Sequence, residues 1–253
     1  MPRGPDELRE AVEGYLGALE LVAELGTLAE PVRYSLGGKR VRPVLCLAAG
    51  EAAGGELDVL LPAAAAVELV HSFSLVHDDL PALDDDSERR GEPSVWAAYG
   101  EATAILVGDA LVAEAFRLAL TAGPDVAREL VEATLGMIGG QQMDLEGGHD
   151  LAEFHRLKTG ALFSASIMCG VWAAGVPEPE HGPWRAFAAE LGLLFQVVDD
   201  ILDGDGYVVE VGEARSRELA DEAATRAETR LAAIPADTSV LGEMVARLAA
   251  RTS

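Results

Sequence analysis

The sequence predicts an all-α protein, a single-domain bundle of about a dozen helices over residues 1–253. Three observations carry that expectation. Apolar residues recur at spacings of three and four through most of the chain, the period of a helix with one buried face. The composition is 49% hydrophobic but only 5% aromatic, and runs of β-branched and aromatic residues of the kind that build sheets are scarce. Gly-Gly and Pro punctuate the periodic segments as helix stops and starts.

Taken in order, residues 6–25 carry Leu8, Val12, Leu16, Leu19 and Ala23 at helical spacing, which predicts an amphipathic helix. A short helix over 31–36 is closed by Gly37-Gly38, and Lys39-Arg40-Val41-Arg42-Pro43 opens the next, through about Ala53. After Gly54-Gly55 a long apolar helix runs over 57–77 and ends on an acidic cluster. A polar loop over 87–94, a helix over 102–120, a turn at Gly123-Pro124 and a helix over 125–145 follow. Helices are expected over 150–176 and 184–202, joined by the linker 177–183. Two amphipathic helices, about 212–234 and 239–250, complete the chain. No repeat of solenoid length and no low-complexity linker interrupts this pattern.

The net charge of -24 excludes a general electrostatic attraction to nucleic acid or to an anionic membrane. Cys46 and Cys169 stand alone in apolar surroundings, as reduced thiols of a cytoplasmic protein do. No Cys/His spacing suggests zinc. The N-terminus lacks the apolar core of a signal peptide, and the uncharged stretch 161–176 is too short and too rich in Ser and Gly to span a bilayer. A soluble protein is expected.

The chemistry concentrates in two acidic motifs. Asp78, Asp79, Asp84, Asp85 and Asp86 follow the apolar helix directly, and Asp199, Asp200 and Asp203 repeat the device after Phe195-Gln196-Val197-Val198. Carboxylates this close repel by up to ~4 kcal/mol per pair at 4 Å and an effective dielectric of 20, so the fold must shift their pKa values, hydrate them or supply a cation. A single acidic run is more often a solvated face or a cap. Two runs, each behind an apolar helical turn, point instead to Mg²⁺, which takes one or two carboxylates and leaves positions to substrate phosphate. The cations agree with this. Of 19 Lys and Arg residues only Lys39 and Lys158 are Lys, each within two residues of a glycine, and Arg89-Arg90-Gly91 adds a third basic cluster. Together they describe a site for phosphorylated anions. Neither a P-loop nor a dinucleotide fingerprint is present, and the segment after Asp203 lacks the Gly and Glu of an EF-hand.

These motifs occur as an ordered set: GGKxxRP at 37–43, HDDLPALDDD at 77–86 with RRG after it, GDAL at 108–111, GGQxxDL at 139–145, HRxKTGAL at 155–162 and FQxxDDILD at 195–203. The set resembles the trans-isoprenyl diphosphate synthases, the farnesyl/geranylgeranyl diphosphate synthase family of bacterial type, over roughly residues 30–205. The resemblance implies the isoprenoid synthase fold, an all-α bundle with the two Asp motifs facing each other across a deep apolar cavity. It implies condensation of isopentenyl diphosphate with an allylic diphosphate to a short-chain trans-prenyl diphosphate, C15 with C20 as the alternative. By matched position, Asp78, Asp84 and Asp199 correspond to Mg²⁺ ligands, with Asp79, Asp200 and Asp203 in support, and three Mg²⁺ hold the allylic diphosphate. Arg89 and Lys158 add charge there. Lys39, Arg42, His71 and Arg90 match the isopentenyl diphosphate pocket. Thr159 and Gln196 match residues lining the reacting carbons, and Gln141 and Asp144 lie nearby. Phe73 and Ser74, five and four residues before Asp78, match the wall that limits product length, with Phe73 favouring C15. His77 and His155 are expected to pack rather than to catalyse, and the family implies a homodimer.

One departure stands out. Family members continue past the second Asp motif with a Lys-bearing loop, whereas here 204–212 is short and has no Lys. Arg215 or Arg217 could replace the missing charge. The departure also fits a catalytically weak or regulatory subunit of a heteromeric synthase, although both Asp motifs are retained. A class I terpene cyclase would lack the Gly37-Gly38-Lys39 pocket and the second DDxxD.

Overall fold

The computed structural model describes residues 2–148 and 150–252. Among them lie thirteen α-helices: α1 (Pro5–Ala18), α2 (Ala29–Ser35), α3 (Val41–Ala52), α4 (Leu57–Asp78), α5 (Val95–Tyr99), α6 (Glu101–Ala122), α7 (Pro124–Glu146), α8 (Leu151–His155), α9 (Ala161–Ala173), α10 (Gly182–Asp203), α11 (Gly206–Val211), α12 (Glu213–Leu231) and α13 (Ser239–Ala249). The bundle is arranged around α4, which packs against α3, α6 and α9. Its length and composition would suffice to cross a membrane, but most of its apolar window is buried inside the bundle, as in the core helix of a globular fold. Ala63 to Ala66 are buried, and side chains this small let the neighbouring helices approach closely. One cluster of buried apolar residues runs from Leu8 on α1 to Val245 on α13.

The expected helices over 39–53, 57–77, 102–120 and 125–145 are present with ends moved by a residue or two. Three expectations need correction. The helix over 6–25 stops at Ala18: Leu19 turns extended, with ψ 118°, its carbonyl accepts from Arg33 Nη2 at 2.9 Å, and a 3₁₀ segment, Ala23–Leu28, replaces the rest. The loop over 87–94 contains a minimal antiparallel hairpin, Glu88–Arg89 with Glu92–Pro93, so the chain is not wholly helical. The helix over 150–176 is broken into α8, a π-helical turn at Arg156–Gly160, and α9. The π turn lies against α7 where Gly140 has no side chain; a Cβ there would stand 2.5 Å from the Lys158 backbone nitrogen. A widened turn of this kind occurs mostly at functional sites.

Candidate active site

Two faces of α4 line two different compartments. Glu68, His71 and Leu75, at helical spacing, form one wall of a basic pocket of about 510 Å³, to which Lys39, Arg42, Arg89, Arg90, Thr159 and Asp199 also contribute. Phe73, Ser74, His77 and Asp78, turned away from the first set, line a second cavity of about 510 Å³ with Gln141 and Lys158. The i, i+3/i+4 geometry of one helix thus separates the expected isopentenyl diphosphate residues from the expected product-length wall.

The basic pocket begins at the Gly37-Gly38 turn. Gly38 has φ 140°, and a Cβ there would meet the Arg90 guanidinium at 2.8 Å, so the turn needs glycine both for its backbone and for the arginine packed on it. Arg90 donates to the Gly37 carbonyl. Arg42 lies across the pocket floor: its guanidinium carbon stands 4.4 Å from the Phe163 ring centroid and 5.6 Å from that of Phe195, and Nη1 is 3.3 Å from His71 Nε2. Burial pulls the Arg42 pKa down to about 10, which leaves it charged at neutral pH. Its buried Nε has no hydrogen-bond partner among the described residues, a donor available to an anion. Burial, and then the charge of Arg42, holds His71 well below its ordinary pKa, so its ring is neutral. An uncharged His71 among arginines can accept from them and still donate to a ligand.

At the first acidic motif, the loop after α4 folds back so that the Asp84 N–H donates to the Asp78 carbonyl at 2.9 Å. Burial raises the Asp78 pKa to about 6, with Lys158 opposing and Asp84 adding to the shift. Asp79 is buried and bonded to Arg89, with Nε 2.9 Å away, and Arg89 also reaches Asp86 at 3.2 Å. Lys158 forms an ion pair with Asp144. His77 has the packing role expected of it: Nε2 lies 3.1 Å from the Ile105 carbonyl, and its ring occupies the space a side chain on Gly108 would fill.

The second motif splits. Asp199 lines the basic pocket, burial raises its pKa, and Asp203 adds to the shift. Asp203 and Asp84 are exposed. Asp200 is buried on the far side of α10, where its carboxylate accepts from Gln196 Nε2 at 2.6 Å and from the Tyr207 N–H at 2.9 Å, with His155 Nδ1 at 3.8 Å. Gln196 therefore faces a groove shared with His155 and Tyr207, and not the pocket that holds Thr159. The expected charge donors after the second motif are also elsewhere. Arg215 is engaged with Glu218 and Glu222, and Arg217 with Glu213. Arg251, which no motif marks, lines the basic pocket beside Lys39 and Asp199. Arg40 and Glu68 carry no such signal either, because Arg40 reads as one more member of a basic run and Glu68 as a lone acid in an apolar helix.

Among the described residues no three metal-ligating side chains converge. The available donors are carboxylates from two helix ends, so an ion held between them must draw its remaining oxygens from water or from a substrate phosphate. That donor set fits Mg²⁺.

The Polyprenyl synthetase family model matches residues 26–244. A geranylgeranyl diphosphate synthase of Cyanophora paradoxa is 42% identical over 215 residues, 78% of this chain and 72% of that protein. A heterodimeric geranylgeranyl pyrophosphate synthase large subunit of Arabidopsis thaliana is 44% identical over 213 residues; the alignment takes in 75% of this chain but only 57% of that protein's length. The crystal structure of a geranyltransferase from Legionella pneumophila superposes with a TM-score of 0.88 at 33% identity, covering 98% of this chain and 96% of the other. On the family match and the shared fold together, the chain belongs to the polyprenyl synthetase family of prenyltransferases.

Proposed function

We propose that the chain condenses isopentenyl diphosphate with an allylic diphosphate, in a Mg²⁺-dependent reaction, to a trans-prenyl diphosphate of C15 or C20. One observation carries the reading. A pocket lined by five arginines and an apolar cavity below Asp78 lie on adjacent faces of the same helix. Lys39, Arg42, His71 and Arg90 hold the diphosphate of isopentenyl diphosphate. Asp78 and Asp199 hold the metal, with Asp84 and Asp203 exposed beside them; Asp79 and Asp200, already bonded to Arg89 and to Gln196 with Tyr207, support from behind. Mg²⁺ held by these carboxylates would neutralise charge building on the departing diphosphate. Lys158 and Arg89 add donors at that end of the site. Thr159, on the π turn, borders the reacting carbons, and the isopentenyl double bond attacks the allylic carbon. The released diphosphate takes the proton, and the growing chain lies along α4 toward Phe73.

The C20 limit is supported by relatives named geranylgeranyl synthases, and the C15 limit by the aromatic Phe73 in the cavity wall. Assembly as a homodimer is supported by exposed apolar side chains on neighbouring helices, Ile105, Leu106 and Leu120 on α6 and Leu135, Ile138 and Leu145 on α7. The test is incubation with Mg²⁺, isopentenyl diphosphate and each of the C5, C10 and C15 allylic diphosphates, with products identified by mass. Asp78→Ala and Asp199→Ala should each lower turnover by at least about a hundredfold while thermal unfolding stays near that of the parent, because each removes a half-buried charge that a neighbouring carboxylate repels. Near-parental turnover in both variants would refute the metal assignment.

A further inference from the structure

We propose that Arg40 is a positioning residue that presets the isopentenyl diphosphate pocket by tying three chain segments together beneath it. Arg40 immediately precedes α3 with φ 58° and ψ 27°, a left-handed conformation that costs a non-glycine residue free energy. Its side chain is 3% exposed, and each of its five N–H donors has an acceptor. Nε donates to Glu13 Oε1 at 2.9 Å. Nη1 donates to the Gly37 carbonyl at 3.1 Å and to Glu68 Oε1 at 2.6 Å. Nη2 donates to Glu13 Oε2 at 3.2 Å and to the Leu36 carbonyl at 2.5 Å. One guanidinium thus joins α1, the turn ahead of α3, and α4.

Lys39 is the preceding residue and Arg42 lies two residues beyond, so the conformation Arg40 holds sets where both cations point. The Gly37 carbonyl is shared: it accepts from Arg40 and from Arg90, which links the staple to a third pocket cation. A buried ion pair is weak evidence for stability, because the cost of desolvating both charges can exceed their attraction. A fold needing only stability at this point would be served as well by an apolar pair. A pocket that must hold a diphosphate gains from fixed donors, since little ordering is then left for the moment of binding. Lysine cannot replace this arginine, because it has three donors on one atom and no planar fork.

The inference rests on the reading of Lys39 and Arg42 as diphosphate ligands, so Lys39→Ala serves as the gauge. The Michaelis constants for isopentenyl diphosphate and for the allylic partner are measured in Lys39→Ala, Arg40→Lys and Glu13→Gln, with thermal unfolding of each and direct titration of isopentenyl diphosphate. Arg40→Lys should raise KM for isopentenyl diphosphate by about tenfold and Glu13→Gln by about threefold, with the allylic KM within about twofold of the parent. If Arg40→Lys does not fold, Glu13→Gln decides, since the Glu13 side chain is 46% exposed and its loss is tolerable. Should Lys39→Ala leave the isopentenyl KM unchanged, the reading of the pocket is wrong. Should Lys39→Ala raise that KM while folded Arg40 and Glu13 variants leave it unchanged, or raise both KM values equally, the positioning role is wrong.

Discussion

His71 illustrates how a single residue can take its chemistry from its surroundings. Burial and the neighbouring charges of Arg42, Arg90 and Arg40 keep its folded pKa well below 6.5, while in the unfolded chain it titrates near that value. Between these two pKa values the unfolded state binds the extra proton, so stability is full above about pH 6.5 and falls as pH drops below it. His71→Asn should remove this contribution. Urea unfolding of parent and variant at pH 7.5 and pH 5.5 should show a smaller acid loss in the variant, and equal losses would mean that His71 does not titrate in the unfolding equilibrium. At this scale the sequence was informative about residue type and position. Lys39, Arg42, His71, Arg90, Thr159 and Asp199 do share one pocket. It was uninformative about orientation. Asp199 and Asp200 are adjacent in sequence, yet one faces the pocket and the other faces Tyr207, because successive helical positions point about 100° apart. Arg40 was invisible as a staple because its partners Glu13 and Glu68 are distant in the chain, and only the tertiary fold brings them together.

Among the elements, long helices were legible because their apolar stripes must be buried somewhere, and short ones were not. α11 is the instructive case. The segment after Asp203 was readable as a loop stripped of Lys, but not as a helical turn. Its first turn is anchored by the Tyr207 N–H on the Asp200 carboxylate and by the Tyr207 ring, 5.3 Å from that of His155. With α11 seated there, α12 starts at Glu213 and spends its arginines on its own exposed face: Arg215 Nη1 is 3.0 Å from Glu218 Oε2 and 2.9 Å from Glu222 Oε1, and Arg217 Nη2 is 2.9 Å from Glu213 Oε1. Exposed pairs of this kind are screened by solvent, contribute little to stability and leave no charge to extend over a substrate. The double variant Arg215→Ala/Arg217→Ala should therefore keep both Michaelis constants within about twofold of the parent. A large rise in the allylic KM would mean that α12 moves onto the site when substrate binds.

At the scale of the whole molecule, the question is how long a product the bundle can hold. The cavity below Asp78 is built mainly by three helices: α4 gives Phe73, Ser74 and His77, α6 gives Asp109 and Val112, and α7 gives Met137, Ile138, Gln141 and Leu145, with Leu83 from the loop after α4 and Lys158 from the π turn completing it. Phe73 stands against His77, ring centroids 5.3 Å apart at 79°, and His77 is fixed in turn to the Ile105 carbonyl. Two rings braced between α4 and α6 are hard to displace, since a close-packed interior transmits strain instead of yielding. The α7 side is different. Ile138 is 52% exposed and Leu145 58%, so that wall is completed only if something covers it, as a second copy packed on α6 and α7 would. On the proposed function, a limit to product length would come from the Phe73 floor on one side and from whatever covers the α7 wall on the other. Phe73→Ala removes the floor without touching the basic pocket on the adjacent face of α4. It should shift the longest product by at least one isoprene unit, to C20 or beyond, with the KM for isopentenyl diphosphate unchanged. Chromatography of products after exhaustive reaction reads the result. An unchanged distribution would move the limit away from α4 and onto the α7 wall.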